Sequence, residues 1–305
     1  MNATQAAPHT LGSVRALLTG IIDYAGLFPP SQLSMQEAVI NYATYRASTS
    51  SWMLGRFVVQ SARLEEFVEA AGDLLPRDGE NRWQLAVTAG EDINETIKAI
   101  RDFNRAHSAS AVADVVEVKA NTVSKIENTV ALLPSEITAY FEVSTGEALA
   151  ELVTTLSIKG QRAKLRTGGI TPDAFPMSKQ IIRVVRTCMA ANVPFKATAG
   201  LHHPIRCFKP LTYAPNAPQG AMHGFLNLLL MTGFARESYR VSLLEELMEE
   251  EFEEAFHFTE LGVDWRDGHA LTNAQLGLLR QRGMHSFGSC SFDEPIADLE
   301  VMGLL

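Results

Sequence analysis

The sequence has few cysteines and few basic residues. Its 305 residues include three cysteines, Cys188, Cys207 and Cys290, without CxxC spacing, which argues against a disulfide framework or a zinc ribbon and favours a reduced protein. Lys and Arg number 26 against 35 Asp and Glu. The formal net charge of -9 is opposite to the basic surface that nucleic acids attract, and it also argues against binding to anionic membranes.

Long hydrophobic runs and targeting signals are also missing. The longest apolar run, residues 225–234, has about half the length that a membrane-spanning helix needs, so a buried helix is expected there. Residues 1–10 are polar and lack the basic and apolar regions of a signal or transit peptide. The sequence therefore predicts a cytoplasmic protein that binds neither nucleic acid nor a membrane, and a homo-oligomer is compatible with it.

The chain does contain eight short runs rich in β-branched or aromatic residues, and most are followed by a helix-length amphipathic stretch. Alternating strands and helices indicate parallel pairing with right-handed crossovers, and eight repeats close a (β/α)8 barrel. The alternative, a doubly wound open sheet, usually has a Gly-rich turn after its first strand, whereas residues 23–30 read Asp-Tyr-Ala-Gly-Leu-Phe-Pro-Pro. The predicted strands are residues 20–26, 53–60, 83–88, 115–121, 137–144, 162–169, 194–203 and 284–291.

The predicted barrel forms one domain over residues 1–305, with residues 204–283 as a lid-like insertion before the last strand. A barrel needs about 250 residues, and this segment holds the surplus. It begins with Pro and Lys and continues with helix-like stretches at 220–233 and 242–256. Seven glutamates at 245–254 accompany apolar residues at helical spacing, so they are interpreted as the solvated face of an amphipathic helix.

Four helix starts are predicted from capping boxes, in which Ser, Thr or Asp is followed three residues later by Glu or Gln. Each pair marks a chain reversal after a strand or loop. The pairs are Ser34/Glu37, Asp92/Glu95, Thr272/Gln275 and Ser291/Glu294.

Charged residues recur on four consecutive predicted strands, several of them two positions apart. Residues two apart on a strand point to the same side, and a charge facing the apolar helices is costly, so these side chains are expected inside the barrel. Two carboxylates and four cations there would line a net positive mouth that suits a small anionic substrate, a carboxylate or a phosphate. A buried ion-pair network that only fills the barrel is the alternative interpretation. The residues are Glu117 with Lys119, Glu142, Lys164 with Arg166, and Lys196 with Thr198.

The seventh strand carries the segment Lys-Ala-Thr-Ala-Gly at 196–200. A lysine beside other cations, here Lys164 and Arg166, is expected to have a lowered pKa, and its neutral amine could attack a carbonyl and form a Schiff base. The segment resembles the Lys-x-Ser/Thr-x-Gly strand of the deoxyribose-phosphate aldolase family, also a (β/α)8 barrel. In that family a second lysine strand follows, whereas here the other lysine strand precedes it. The resemblance implies a Schiff-base role for Lys196.

Two turns rich in small residues are candidate phosphate sites, because backbone amides at such turns can hold an anion. Gly168 and Gly169 follow the sixth strand, and Gly288 and Ser289 lie on the eighth. Gly and Ser also mark ordinary turns. Cys290 could act as a nucleophile, but the sequence shows no base near it, so a small buried role is favoured.

A metal site is the competing interpretation. Asp23 at the end of the first strand, with His202, His203 and His223, could hold a divalent metal that polarises a carbonyl. Barrel metallolyases similar to hydroxymethylglutaryl-CoA lyase place Asp after the first strand and His-x-His on the seventh. Here the two histidines are adjacent, and Asp23 is not part of an Arg-Asp-Gly signature. A structural role for the histidines, holding the insertion in place, is the simpler alternative.

The sequence thus predicts an enzyme that acts on a small anionic carbonyl compound, as a lyase of the aldolase type or an isomerase, without a required cofactor. In the leading hypothesis Lys196 forms the imine and Glu117 or Glu142 transfers the proton, while Lys164 and Arg166 bind the anionic group. The alternatives are a metal-dependent lyase or hydrolase, and a barrel that only binds a ligand or serves in assembly.

Overall fold

Eight parallel strands close into a barrel and alternate with helices in a computed structural model, which describes residues 10–77 and 79–305. This confirms the predicted (β/α)8 fold, and each strand overlaps one of the eight predicted runs. Around the barrel, each strand pairs with its neighbours along the chain, and the last strand closes onto the first. The barrel strands are β1 (Ile22–Tyr24), β2 (Leu54–Gln60), β3 (Trp83–Thr88), β4 (Ala111–Lys119), β5 (Thr138–Glu142), β6 (Arg162–Arg166), β7 (Phe195–Thr198) and β13 (Met284–Ser289).

The helices pack around this barrel, and five further strands form two small antiparallel sheets. The helices are α1 (Gly12–Leu18), α2 (Met35–Arg46), α3 (Leu64–Ala71), α4 (Ile93–His107), α5 (Val123–Leu132), α6 (Leu149–Ile158), α7 (Ser178–Ala190), α8 (Phe225–Arg236), α9 (Val241–Met248), α10 (Asn273–Arg282) and α11 (Asp293–Val301). The further strands are β8 (Cys207–Pro210), β9 (Gln219–Met222), β10 (Phe256–Phe258), β11 (Gly262–Trp265) and β12 (His269–Thr272).

Alternation along the strands separates two apolar cores. Val58, Ala86, Val115 and Tyr140, from four neighbouring strands, form a small cluster inside the barrel. Residues of opposite parity, such as Val116, belong to the larger core between the barrel wall and the helices. The parity of Val115 and Tyr140 also places the charged ends of β4 and β5 on the inner side.

The insertion at 204–283 contributes to the helical layer as well as to the mouth of the barrel. Helix α8 packs against α7 and α10, and its residues 225–234 are buried, which confirms the predicted buried helix. The loop between β8 and β9 carries Tyr213, which contacts side chains at the edge of the mouth. The loop between β8 and β9 is therefore a part of this segment that reaches the mouth of the barrel.

The acidic stretch at 245–254 differs from its prediction. Helix α9 ends at Met248, so the helix expected over 242–256 is wrong in its second half. Glu250 is only 3 % exposed, and it accepts hydrogen bonds from Trp265 Nε1 at 3.3 Å and Arg266 Nε at 2.7 Å. Phe252 is 70 % exposed. The guanidinium group of Arg266 neutralises Glu250, which allows this glutamate to leave the solvated face.

Two of the four predicted capping boxes form in full, and two form only in part. Asp92 accepts the backbone N–H of Asn94. Ser291 Oγ accepts the backbone N–H of Glu294 at 3.2 Å, but the Glu294 carboxylate contacts other side chains at the mouth of the barrel. The complete boxes are Ser34/Glu37 before α2 and Thr272/Gln275 before α10.

No helix within residues 10–77 and 79–305 is both long enough and apolar enough to cross a membrane. The expectation about a targeting signal concerns residues 1–10, and of these 1–9 lie outside the described residues.

Candidate active site at the mouth of the barrel

A cavity of about 510 Å³ opens at the carboxyl-terminal ends of the barrel strands. Its charged wall comes from three adjacent strands: Glu117 and Lys119 on β4, Glu142 on β5, and Lys164 and Arg166 on β6. Side chains at the ends of neighbouring parallel strands meet at one rim, and two-residue alternation turns them to the same side. Five of the residues predicted for the site therefore share one wall.

A buried ion-pair network lies beneath this wall. Lys196 Nζ lies 2.6 Å from Asp23 Oδ2 and 2.5 Å from Glu117 Oε1. Asp23 also accepts hydrogen bonds from Ser286 Oγ and from the backbone N–H of Arg56, both at 2.7 Å. Lys196 is 1 % exposed and does not border the cavity. Because an unpaired buried charge is costly, each member of this network depends on the others.

The pKa of Lys196 is raised, not lowered as the sequence predicted. Burial by itself would lower the pKa of this lysine, but the carboxylates of Asp23 and Glu117 outweigh burial and raise it above its ordinary value. The prediction considered only the neighbouring cations, whereas the closest charges are carboxylates. Burial would raise the pKa of Glu117, but the ammonium groups of Lys164 and Lys196 lower it to about 2.

Lys164 lies at the boundary between the network and the cavity. Its Nζ is 2.8 Å from Glu117 Oε2 and 3.1 Å from Glu142 Oε2, and its side chain is 10 % exposed. Burial would raise the pKa of Glu142, but Lys164 and Arg166 lower it below its ordinary value. Unlike Lys196, Lys164 is one of the residues that line the cavity.

Arg166 and Lys119 extend the positive charge to the rim. Arg166 Nε is 3.3 Å from Glu142 Oε1, and half of its side chain is exposed. Lys119 is exposed beside the cavity and has no ion-pair partner in the part of the chain that the structure describes. Counting Asp23, three carboxylates face the four lysine and arginine side chains of the predicted site. The net positive charge at the mouth is therefore smaller than the sequence predicted. Lys119 and Arg166 are the most exposed of these cations.

The small residues predicted to bind an anion lie partly at the cavity. Gly168 does not line the cavity and permits a close approach of two loops, because a Cβ there would lie 2.9 Å from Gly200 Cα. Ser289 is buried, and its carbonyl accepts a backbone N–H from the loop after β1. Gly169 and Gly288 border the cavity, as does Thr198 on β7.

The four residues of the metal hypothesis have separate surroundings. Asp23 belongs to the buried network, and His203 Nδ1 lies 2.6 Å from Asp298 Oδ2, away from the cavity. His223 Nε2 lies 2.8 Å from a backbone carbonyl oxygen, and among the four only His202 borders the cavity. In the described ranges, no group of three or more His, Cys, Asp or Glu side chains is arranged to hold a metal ion.

A second group of side chains surrounds Cys290 at the edge of the cavity. Cys290 Sγ lies 3.8 Å from His202 Nδ1, and the same nitrogen lies 3.2 Å from Glu294 Oε2. The Tyr213 hydroxyl donates to Glu294 Oε2 at 2.9 Å and lies 3.7 Å from Cys290 Sγ. The sequence did not reveal this base because His202 is 88 residues away along the chain.

The pKa values of this thiol and imidazole shift in opposite directions. Burial would lower the pKa of His202, but its contacts with Cys290 and Glu294 raise it to about 9. Burial would raise the pKa of Cys290, but the hydrogen bond from His202 and its charge lower it below its ordinary value. Each group therefore favours the charged form of the other.

The loop after β1 forms part of the cavity wall that the sequence interpretation did not assign to the site. Ala25, Phe28, Pro29 and Pro30 border the cavity, and the peptide bond between the two prolines is cis. The sequence did contain a signal for this part of the wall. These residues directly follow the first strand, and in this fold the loops after the barrel strands form the active site.

No model of a known protein family matches the chain, and no curated protein matches it by sequence. The functional proposal therefore depends on the geometry of the cavity.

Proposed function

We propose that this chain is an enzyme acting on a small carboxylated or phosphorylated carbonyl compound through an imine on Lys164. The reaction class is a lyase of the aldolase type or an isomerase. The observation that carries the proposal is the position of Lys164, which borders the cavity and whose amine contacts the carboxylates of Glu117 and Glu142. The fold alone is compatible with an enzyme but hosts many chemistries, so the site has to supply the reaction class.

Lys164 is better placed than Lys196, the Schiff-base lysine of the sequence hypothesis. A carbonyl carbon must reach the nitrogen, and Lys196 Nζ is enclosed between Asp23 and Glu117. Lys196 is also only 1 % exposed and does not border the cavity. Lys196 instead holds one oxygen of Glu117 while Lys164 contacts the other. We therefore assign Lys196 a positioning role.

The carboxylates beside Lys164 are close enough to transfer its proton. Glu117 Oε2 at 2.8 Å and Glu142 Oε2 at 3.1 Å are both within hydrogen-bond reach of Nζ. Attack forms a C–N bond, and loss of water leaves a protonated imine whose positive charge keeps the pairing with both carboxylates. The imine then withdraws electrons from a neighbouring C–C or C–H bond, the step that aldol cleavage and isomerisation share. Glu142 borders the cavity and is the residue we assign to proton return.

The rim supplies the anion specificity. Arg166 and Lys119 border the cavity beside the reactive amine, and both are more exposed than Lys164. A guanidinium group presents several donors in a plane that matches a carboxylate or a phosphate. Arg166 Nε contacts Glu142 and Nη1 donates to the Gly168 carbonyl, which leaves the other N–H groups of the guanidinium for a ligand.

Borohydride trapping with a panel of carbonyl compounds tests the proposal. We expect at least one of pyruvate, glyoxylate and dihydroxyacetone phosphate to add a reduced adduct to the intact protein. The Lys164→Met variant should lose the adduct. The matched control is Lys98→Met, which removes an exposed lysine on α4 that does not border the cavity, and this variant should retain the adduct. Absence of any adduct across the panel, or an undiminished adduct in Lys164→Met, contradicts the proposal.

A further inference from the structure

We propose that Cys290 and His202 form a second reactive site at this cavity, where the thiolate of Cys290 adds reversibly to the aldehyde group of a small anionic ligand. The ligand class rests on the proposed function, whereas the reactivity of the thiolate does not. Both side chains border the same cavity as Lys164. The site is therefore open to the same ligands without depending on the imine.

The geometry supplies the base that a reactive cysteine needs. Cys290 Sγ and His202 Nδ1 lie 3.8 Å apart, within reach of a hydrogen bond to sulfur, and Glu294 orients the imidazole from 3.2 Å. Glu294 is the acidic residue of a predicted capping box, yet its carboxylate contacts His202 and Tyr213. Glu294 thus does not complete its capping box, and such exceptions to a local sequence rule are expected at functional sites.

The surroundings of Cys290 differ from those of the other two cysteines. Burial raises the pKa of Cys188 to about 12 and that of Cys207 to about 11, whereas His202 lowers the pKa of Cys290. The other groups that face the Cys290 thiol are the hydroxyl groups of Ser31, Tyr213 and Tyr24, and the carboxylate of Glu294 beyond His202. Among the three cysteines, Cys290 is thus the one placed to react as a thiolate near neutral pH.

The addition step needs no further reactant. The sulfur lone pair forms a C–S bond to the aldehyde carbon, and the carbonyl π electrons move to oxygen. That oxygen takes the Nδ1 proton of His202, which gives a thiohemiacetal and a neutral imidazole. The reverse step returns the proton to His202 and releases the aldehyde. The exposed cations of the rim, Arg166 and Lys119, hold the anionic group of the same ligand.

Iodoacetamide labelling, followed by peptide mass spectrometry, tests the thiolate directly. At pH 7 we expect Cys290 to be alkylated at least about tenfold faster than Cys207 in the same chain, because the thiolate is the nucleophile. His202→Asn should slow the alkylation of Cys290 by about tenfold and raise the pH midpoint of this reaction. The matched control, His203→Asn, changes the adjacent histidine, which pairs with Asp298, and should alter neither quantity.

Two outcomes of this labelling would overturn the proposal that His202 keeps Cys290 as a reactive thiolate. One is a Cys290 that reacts no faster than Cys207. The other is a His202→Asn variant with an unchanged midpoint, which would show that His202 affects only access. The borohydride experiment tests Lys164, whereas the alkylation experiment tests Cys290, so either proposal can fail without the other.

Protection by glyoxylate tests the addition step. In the Lys164→Met background, which removes the proposed imine, a saturating concentration of glyoxylate should slow alkylation of Cys290 by at least about fivefold. The reason is that the thiol bound in the thiohemiacetal is not available to iodoacetamide. Glycolate, which has the same carboxylate but no aldehyde, should give no comparable protection. Equal protection by the two compounds, or none by either, would overturn the thiohemiacetal.

Discussion

At the scale of single residues, Lys164 and Lys196 are register partners on β6 and β7 but have different surroundings. Lys196 is enclosed by two carboxylates, and Lys164 contacts two carboxylates while also bordering the cavity. The sequence identified both lysines and their inward direction from alternation alone. It assigned the imine to Lys196 without considering the carboxylate of Asp23, which neutralises Lys196 and is 173 residues away along the chain.

Removing Lys196 should destabilise the fold strongly. Lys196→Met leaves Asp23 and Glu117 as buried carboxylates without their common cation, and breaking a buried pair in this way costs about 3–5 kcal/mol. The free energy of unfolding from urea titration measures the loss. Lys119→Met, on an exposed lysine without an ion-pair partner in the described chain, should change it by no more than about 0.5 kcal/mol. Equal effects of the two substitutions would contradict the buried network.

Protonation of Glu117 should contribute to acid unfolding. Its pKa falls from the ordinary 4.5 to about 2 in the folded protein, so its stabilising effect is complete above about pH 4.5 and is lost as the pH falls toward 2. Glu117→Gln cannot titrate. The difference in unfolding free energy between wild type and Glu117→Gln should therefore narrow between pH 5 and pH 3, when measured by urea titration. A difference that stays constant over this range would show that the carboxyl pKa is not lowered.

At the scale of elements, periodicity predicted the eight barrel strands and the buried helix α8, because both depend on local patterns of apolar residues. The same local patterns failed where a distant partner intervenes. Helix α9 ends at Met248, and Glu250 beyond its end pairs with Arg266. The Ser291/Glu294 box is incomplete because the Glu294 carboxylate contacts His202 and Tyr213. Both failures come from contacts that only the folded chain creates.

The close approach of the loops after β6 and β7 should depend on glycine. Gly200 has φ +76°, and a Cβ there would lie 2.9 Å from Gly168 Cα and 2.7 Å from Phe175 Cε1. We expect Gly200→Ala to lower the unfolding free energy by about 1–3 kcal/mol, because it adds backbone strain to a steric clash. Gly277→Ala, in the middle of α10 with no atom near its Cβ position, should instead raise it by up to about 1 kcal/mol. Thermal unfolding of both variants decides this, and a stable Gly200→Ala would show that the loops separate freely.

At the scale of the whole molecule, an acidic protein of net charge -9 carries a cluster of cations at one opening of its barrel. The sequence predicted this contrast, since the charges and their spacing are both visible in it. It placed Asp23 in the metal hypothesis and did not predict its pairing with Lys196 or the group around Cys290. These contacts arise when β13 pairs with β1 and β7 to close the barrel. The closed barrel thus brings Lys164 and Cys290 to one cavity.

This contrast predicts selective stabilisation by anionic ligands. Pyruvate, which carries a carboxylate beside its ketone, should raise the melting temperature of the wild type, whereas acetone, which has no charge, should not. Arg166→Gln should reduce the effect of pyruvate, because it removes the exposed guanidinium group of the rim. Differential scanning fluorimetry measures both shifts. Equal stabilisation of wild type and Arg166→Gln by pyruvate would show that Arg166 does not bind the anionic group.

The most direct test of the account is to locate the reduced imine by peptide mass spectrometry after borohydride treatment with the carbonyl panel. Lys119, Lys164 and Lys196 all lie on barrel strands, but only Lys164 both borders the cavity and contacts two carboxylates. The account predicts the adduct on Lys164. An adduct on Lys196, or on neither of these two lysines, would contradict it.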